Sequence, residues 1–317
     1  AYDADCWTAM SVVVEDIKAN GQEAYVPSCA NEYKDMALTK TVRADWAAAN
    51  PDLAAFIKAY ALPTETVNSM LAYYADESEG DATAALSAWR VGLDACFEGL
   101  PSHPVYVALS ETVRRHDLSI DPFADLIDAF IQDQTVVRYE SREQLLEYCR
   151  RSANPVGRIV LGLADCKAAE KMSLSDSICT GLQLVNFWQD VRRDYLAGRI
   201  YIPAEDLRQH GVSEGMLESP TASPEFISLL TDEVAWAEQY FDDGQSLVEA
   251  APLVLRPAIK LFLEGGRGVA QAIRQSGFDT LTNRPVLQKR AKLNLAFKAA
   301  LHMMAIRVQY VFKGTWS

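Results

Sequence analysis

The stretch Gly181-Leu182-Gln183-Leu184-Val185-Asn186-Phe187-Trp188-Gln189-Asp190-Val191-Arg192-Arg193-Asp194-Tyr195 says more about architecture and chemistry than any other part of this 317-residue chain. In an α-helix, residues seven apart differ by roughly 20° around the axis and residues four apart by about 40°. Gln183, Asn186, Asp190 and Asp194 therefore share one polar stripe, while Leu184, Val185, Phe187, Trp188 and Val191 cover much of the remaining circumference. A polar stripe is ordinarily the solvated face of its helix. Here the apolar flanks predict a helix buried on most sides, where two carboxylates and two amides need partners. A hard cation that bridges them to a diphosphate supplies such partners, since Mg²⁺ prefers a few carboxylate oxygens, with water and phosphate oxygens completing its octahedron. Asp190 and Asp194 are the metal ligands on this view, and Gln183 and Asn186 hold bound water or substrate oxygen. Arg192 and Arg193 either neutralise phosphate charge or lie on the surface.

Outward from this stretch the apolar spacing is helical almost everywhere. Phe123, Leu126, Ile127, Phe130 and Ile131 form an i, i+3, i+4, i+7, i+8 stripe, with Asp121-Pro122 in place as N-cap and N1. Similar stripes run over 142–151, 173–197, 224–250, 252–275 and 286–312, punctuated at Asn154-Pro155, Ile202-Pro203, Ser219-Pro220, Ala251-Pro252 and Arg284-Pro285. From residue 90 onward no β-branched alternation marks a sheet, so the expected fold class is all-α, a helical bundle. Before residue 90, Ser11-Val12-Val13-Val14 fits a short strand, and 36–60 and 64–75 are helical by pattern. Gly265-Gly266-Arg267-Gly268 follows no strand; it suits close helix packing and not a nucleotide loop.

Composition excludes several classes. A net charge of −13 argues against a nucleic-acid partner, which needs clustered Lys and Arg. The charge is uneven: residues 1–89 carry 14 acidic and 5 basic side chains, residues 90–317 carry 29 and 25, and the character changes near Trp89. From Thr280 to the end there are seven Lys or Arg and no acid. That tail suits a solvated last helix with its cations near the C-terminal end better than contact with anionic lipid headgroups. No run of about eighteen apolar residues predicts a transmembrane helix. The six cysteines are widely spaced, with no C-x-x-C pair, and read as reduced thiols. The expected location is cytoplasmic, with peripheral contact at an inner membrane through the tail. His103, His116, His210 and His302 do not cluster, and none is assigned to a metal.

The segment from Gln183 to Pro203, QLVNFWQDVRRDYLAGRIYIP, resembles the second aspartate-rich motif of squalene and phytoene synthases, followed by the arginine-tyrosine-isoleucine-proline run of that family. The likeness covers roughly residues 89–295. It includes His103-Pro104-Val105, Thr112 to Leu118, Phe130 to Asp133 with Arg138-Tyr139, and Tyr148 to Gly157 with its Asn154-Pro155-Val156-Gly157 run. That run and the Asn186-Phe187-Trp188-Gln189-Asp190 form of the motif look most like the bacterial hopanoid branch, whose members convert presqualene diphosphate to hydroxysqualene. The resemblance implies an isoprenoid-synthase-type bundle that takes a farnesyl-derived diphosphate, presqualene or farnesyl, with Mg²⁺ as cofactor. It also implies Asp190 and Asp194 on the metal, Tyr139 with them as catalytic, and Gln183, Asn186, Asp133, Arg138 and Asn154 near the substrate. Phe123, Phe130, Phe187, Trp188 and Tyr201 would wall an apolar cavity that keeps water from a carbocation.

The family's first motif, Asp-Asp-x-x-Asp-Glu, has only Tyr74-Ala75-Asp76-Glu77-Ser78-Glu79-Gly80-Asp81 to answer it. A prenyl-diphosphate-binding protein without catalytic activity is therefore the alternative. Residues 31–89 weakly resemble the closing part of a glycine-betaine-type transporter substrate-binding protein. The expected organisation is an atypical N-terminal segment over 1–88, the helical domain over 89–295 and a basic tail over 296–317.

Overall fold

A computed structural model describes residues 81–286. The expectations for 11–14, 36–60, 64–75, the segment 74–80 and the tail beyond 286 lie outside those residues. The compact unit that holds the motif begins at Leu86.

Among the described residues the fold is all-α, as the sequence predicts. The helices are α1 (Ala82–Phe97), α2 (Pro104–His116), α3 (Asp121–Gln132), α4 (Arg142–Ser152), α5 (Asn154–Leu163), α6 (Ala169–Leu196), α7 (Ala204–Gln209), α8 (Pro224–Gly244), α9 (Leu247–Ala250) and α10 (Arg256–Gln275). Their starts are written in the sequence. The Ser141 and Ser223 side chains accept from the Gln144 and Phe226 amides at 3.2 Å each and so cap α4 and α8. The predicted cap of α3 is displaced by one residue: Ile120 is the N-cap, and Asp121 and Pro122 fill the first turn.

The 28-residue α6 spans about 42 Å at 1.5 Å per residue. It packs against α4, α5, α8, α9 and α10, and its buried residues run from Ser175 to Val191. Leu184, Trp188, Phe226, Leu229, Leu230 and Phe241 are fully buried in the resulting core, each worth about 1.5–3 kcal/mol in apolar burial. A smaller cluster joins α1, α2 and α3 through Leu93, Cys96, Tyr106 and Ala124.

Small residues set how closely these helices approach. A Cβ on Gly266 would lie 2.4 Å from Phe241 Cζ, and one on Gly181 would lie 2.8 Å from Phe241 Cε1. Both α6 and α10 thus bring bare backbone against one phenyl ring of α8, which gives Gly266 the packing role expected of its run. The predicted 224–250 helix is interrupted after Gly244, where a Cβ would stand 2.6 Å from Ile178 Cγ1 and 2.7 Å from the Leu174 carbonyl. The four described cysteines, Cys96, Cys149, Cys166 and Cys179, are free thiols. No described helix is long and apolar enough to cross a membrane.

Candidate active site

The polar stripe of α6 is graded, not uniformly buried. Asp190 has only 6% of its side chain exposed, Gln183 and Asp194 are partly buried, and Asn186 is exposed. Water can therefore satisfy the Asn186 amide, which corrects the expectation that all four polar groups need partners from within the fold. The helix is buried where Phe187, Trp188 and Val191 lie and opens along the Asn186 edge.

Asp190 is held by Arg284 through a two-point fork, Nε to Oδ1 at 2.5 Å and Nη2 to Oδ2 at 2.8 Å. The same Nη2 donates to Gln189 Oε1 at 2.8 Å, and Gln189 Nε2 donates to the Pro285 carbonyl. Arg193, which is largely exposed, comes no nearer to Asp190 than 3.9 Å, while Arg192 donates to the Leu281 carbonyl at 3.0 Å. One turn on, the Asp194 carboxylate makes no hydrogen bond or ion pair with a described residue, though its backbone carbonyl accepts from the Ala197 and Arg199 amides. Burial, and then the Asp190 charge, push its carboxyl up to about 6, against the pull of Arg193, Arg199 and Arg284.

Arg199 joins this turn to a second group. Its guanidinium donates to the Asp133 carbonyl at 2.7 Å and to Asp133 Oδ1 at 3.5 Å. Burial raises the Asp133 carboxyl, opposed by hydrogen bonding to Tyr148 and by Arg199. Around it four rings pack together: Phe187 stacks on Tyr201 at 3.9 Å between centroids, Tyr201 on Tyr139 at 5.7 Å, and Tyr148 lies 5.5 Å from Tyr139. Tyr139 is 1% exposed and its Oη has no hydrogen-bond partner among the described residues. Tyr201 feels the charges of both Arg199 and Asp194, so the aromatic group adjoins the carboxylate turn.

Asp190, Asp194, Asp133 and Tyr139 thus converge, directly or through Arg199 and Tyr201. Two other predicted residues have different partners. Arg138 pairs with Glu214, Nε to Oε1 at 3.1 Å, and donates to the Gly198 carbonyl at 2.7 Å. Asn154 is buried and accepts from Thr180 Oγ1 at 2.9 Å, tying α5 to α6 about 15 Å along the helix from Asp190. Of the expected wall, Phe187 and Tyr201 stand at the site. Trp188 is fully buried beside Trp236, Phe123 packs on Phe97, and Phe130 is 47% exposed. Sequence reasoning assigned no role to Gln189, Arg199 or Arg284. Gln189 adjoins Asp190 and Arg199 belongs to the run quoted after the motif, so both have local signals, whereas Arg284 lies 94 positions from Asp190 and has none.

The residues fit a divalent cation. Asp194 is a partly buried carboxylate without a partner among the described residues, and Asp190 offers a second carboxylate one turn away. No group of three or more His, Cys, Asp or Glu among the described residues could hold a metal ion. An ion on this turn would find two described protein carboxylates, Asp190 and Asp194, and would need water or phosphate oxygens for the rest of its shell. Two cavities elsewhere, of about 450 Å³ beside Arg142 and Trp236 and about 570 Å³ beside Phe123 and Met172, include none of these groups. The site is recognised by its side chains and not by cavity size.

Comparison with known proteins bears on family and fold. The family model described as squalene/phytoene synthase matches residues 49–295. The chain belongs to the squalene/phytoene synthase family. It is 29% identical over 226 residues to the chloroplastic phytoene synthase of Daucus carota, covering 68% of this chain and 57% of the plant protein. It is also 29% identical to the phytoene synthase of Thermus thermophilus, covering 71% and 77%. The chain spans little more than half the length of the Daucus carota relative. Among solved structures, the squalene synthase HpnC from Alicyclobacillus acidocaldarius is 34% identical with a TM-score of 0.62, over 73% of this chain and 91% of that one. A dehydrosqualene synthase shares the fold with a TM-score of 0.63 at 23% identity, over 82% of this chain and 95% of that one. The likeness to HpnC is in keeping with the hopanoid-branch motifs. The resemblance of residues 31–89 to a transporter binding protein finds no support, and residues 49–88 fall inside the family match.

Proposed function

We propose that this chain is a metal-dependent prenyl-diphosphate transferase or lyase that ionises presqualene or farnesyl diphosphate on the way to squalene or hydroxysqualene. The observation that carries this reading is the juxtaposition of two chemistries beside the C-terminal part of α6. Asp194, one turn from Asp190, acts electrostatically on Tyr201, which stacks on Phe187 of α6 and on Tyr139 in the ring group that Tyr148 completes.

Bound to the two carboxylates, Mg²⁺ would withdraw charge from the departing diphosphate and so favour heterolysis of the allylic or cyclopropylcarbinyl C–O bond. The chain's own groups supply the rest. Stacked ring faces stabilise a carbocation by their quadrupoles and exclude water while the carbon skeleton rearranges. Tyr139, whose buried hydroxyl is held in its neutral, protonated form by desolvation, presents its ring and its oxygen dipole to that cation. Arg199 fixes the Asp133 carboxylate beside the rings, and Gln183 and Asn186 present amides along the open edge of the turn. Peripheral membrane contact through the basic tail suits the apolar product of such a reaction.

The test is diphosphate release from presqualene or farnesyl diphosphate in the presence of Mg²⁺. The wild-type chain should release diphosphate, and an Asp190→Ala, Asp194→Ala double variant should not. Equal release from the two would overturn the assignment. Binding of substrate without release would leave the inactive prenyl-diphosphate-binding protein as the function.

A further inference from the structure

Residues 281–286 lie as a strap along the motif turn of α6 and are tied to three of its side chains. Arg192 Nη1 donates to the Leu281 carbonyl at 3.0 Å, Gln189 Nε2 donates to the Pro285 carbonyl, and Arg284 grips Asp190. A fourth tie, Thr282 Oγ1 to the Pro220 carbonyl at 2.8 Å, anchors the strap outside α6. Residues 189, 190 and 192 are the heart of the aspartate-rich motif, so the strap is fastened to the metal-binding turn itself.

The fork geometry has a chemical consequence. A guanidinium that meets both carboxylate oxygens side by side uses the lone pairs that face outward from the carboxylate. The fork leaves one further lone pair on each oxygen, and a hard cation has to reach one of these or displace the guanidinium. Because Asp190 is nearly inaccessible, with 6% of its side chain exposed, it has little surface on which to hold both partners. Gln189 makes the competition specific. Its amide accepts from Arg284 with one end and donates to Pro285 with the other, so its orientation is fixed and it holds the guanidinium on the carboxylate.

We infer that Arg284 and a divalent cation compete for Asp190, with Gln189 as the positioning residue for the guanidinium, so that metal binding releases the 283–286 end of the strap while Leu281 stays in the core. The inference rests on the metal-dependent reading of the site. It makes the strap an autoinhibitory contact.

The experiment measures Mn²⁺ binding to the full chain, by the loss of the free-ion paramagnetic resonance signal, for wild type, Arg284→Lys and Gln189→Leu. Loss of a charge-assisted fork, or of the residue that orients it, should tighten Mn²⁺ roughly tenfold or more. Arg284→Lys keeps the positive charge, so tightening in that variant cannot be an effect of net charge. If Arg284→Lys binds Mn²⁺ no better than wild type, the competition is overturned while the metal site stands. Absence of Mn²⁺ binding in all three proteins overturns the metal reading and the competition together. A second measurement needs no variant: amide hydrogen exchange of a peptide covering 279–286 should speed up when Mn²⁺ is added to the wild type. Unchanged or slower exchange there overturns release of the strap.

Discussion

Asp194→Asn should make the protein more stable and the site useless, and the pH dependence of the gain reports why. In the folded chain the Asp194 carboxyl is pushed up to about 6 from an ordinary 3.8, by burial first and by the Asp190 charge second. A displacement of this size corresponds to about 3 kcal/mol against the ionised form. Because the group is only partly buried, solvent screening reduces the expected effect to about 1–2 kcal/mol. The sign follows from linkage: a carboxyl raised on folding contributes its stability below the unfolded value near 3.8 and loses it as pH climbs through the folded value near 6. Wild type and Asp194→Asn should therefore be close in stability at the acid end. The variant should pull ahead between about pH 4 and 6, and the gap should stay constant from about pH 6.5 to 8. Urea unfolding followed by circular dichroism, in chelator and over about pH 5 to 8, measures the gap. Addition of Mg²⁺ with inorganic diphosphate should then stabilise only the wild type. An Asp194→Asn variant no more stable than wild type at about pH 7.5 would refute the claim that this carboxylate is strained by its surroundings and waiting for a cation.

Three further outcomes are expected. Arg142 pairs with Asp206 at 2.9 Å and Glu233 at 3.5 Å, and both carboxylates are buried, so Arg142→Met should cost about 3–5 kcal/mol in denaturant unfolding. Burial and the Asp206 charge hold the Glu233 carboxyl well above its usual range, so this cost should be smaller at about pH 5 than at about pH 8; an equal cost at both would count against it. Gly266→Leu should lower stability by about 1–3 kcal/mol through collision with Phe241 and Leu182, whereas Gly265→Ala, whose Cβ meets nothing within 4 Å, should be neutral or stabilising in thermal melts. Tyr139→Phe removes a buried hydroxyl without a partner among the described residues and should leave stability within about 1 kcal/mol, while diphosphate release slows; unaltered turnover would remove Tyr139 from the chemistry.

The sequence alone determined the relations that a helix makes locally. Gln183, Asn186, Asp190 and Asp194 share a face because residues three, four and seven apart do so in any α-helix, and the stripes and proline breaks placed α3, α4, α6 and much of α8 and α10. The motif residues carried the family for the same reason: they are contiguous. Which partner meets each side chain was decided by tertiary packing. Nothing within α6 states that Asn186 faces solvent while Asp190, four residues on, is shut against Arg284 from 94 positions away. Arg138 and Asn154 looked equal to Asp133 in the motif, yet the fold gives Arg138 to Glu214 and Asn154 to Thr180, and joins Asp133 to Arg199. Periodicity fixes angles around one helix axis, but the identity of a neighbour across a core depends on how whole helices approach. Here that approach is set by features as small as the missing side chains of Gly181 and Gly266 against Phe241.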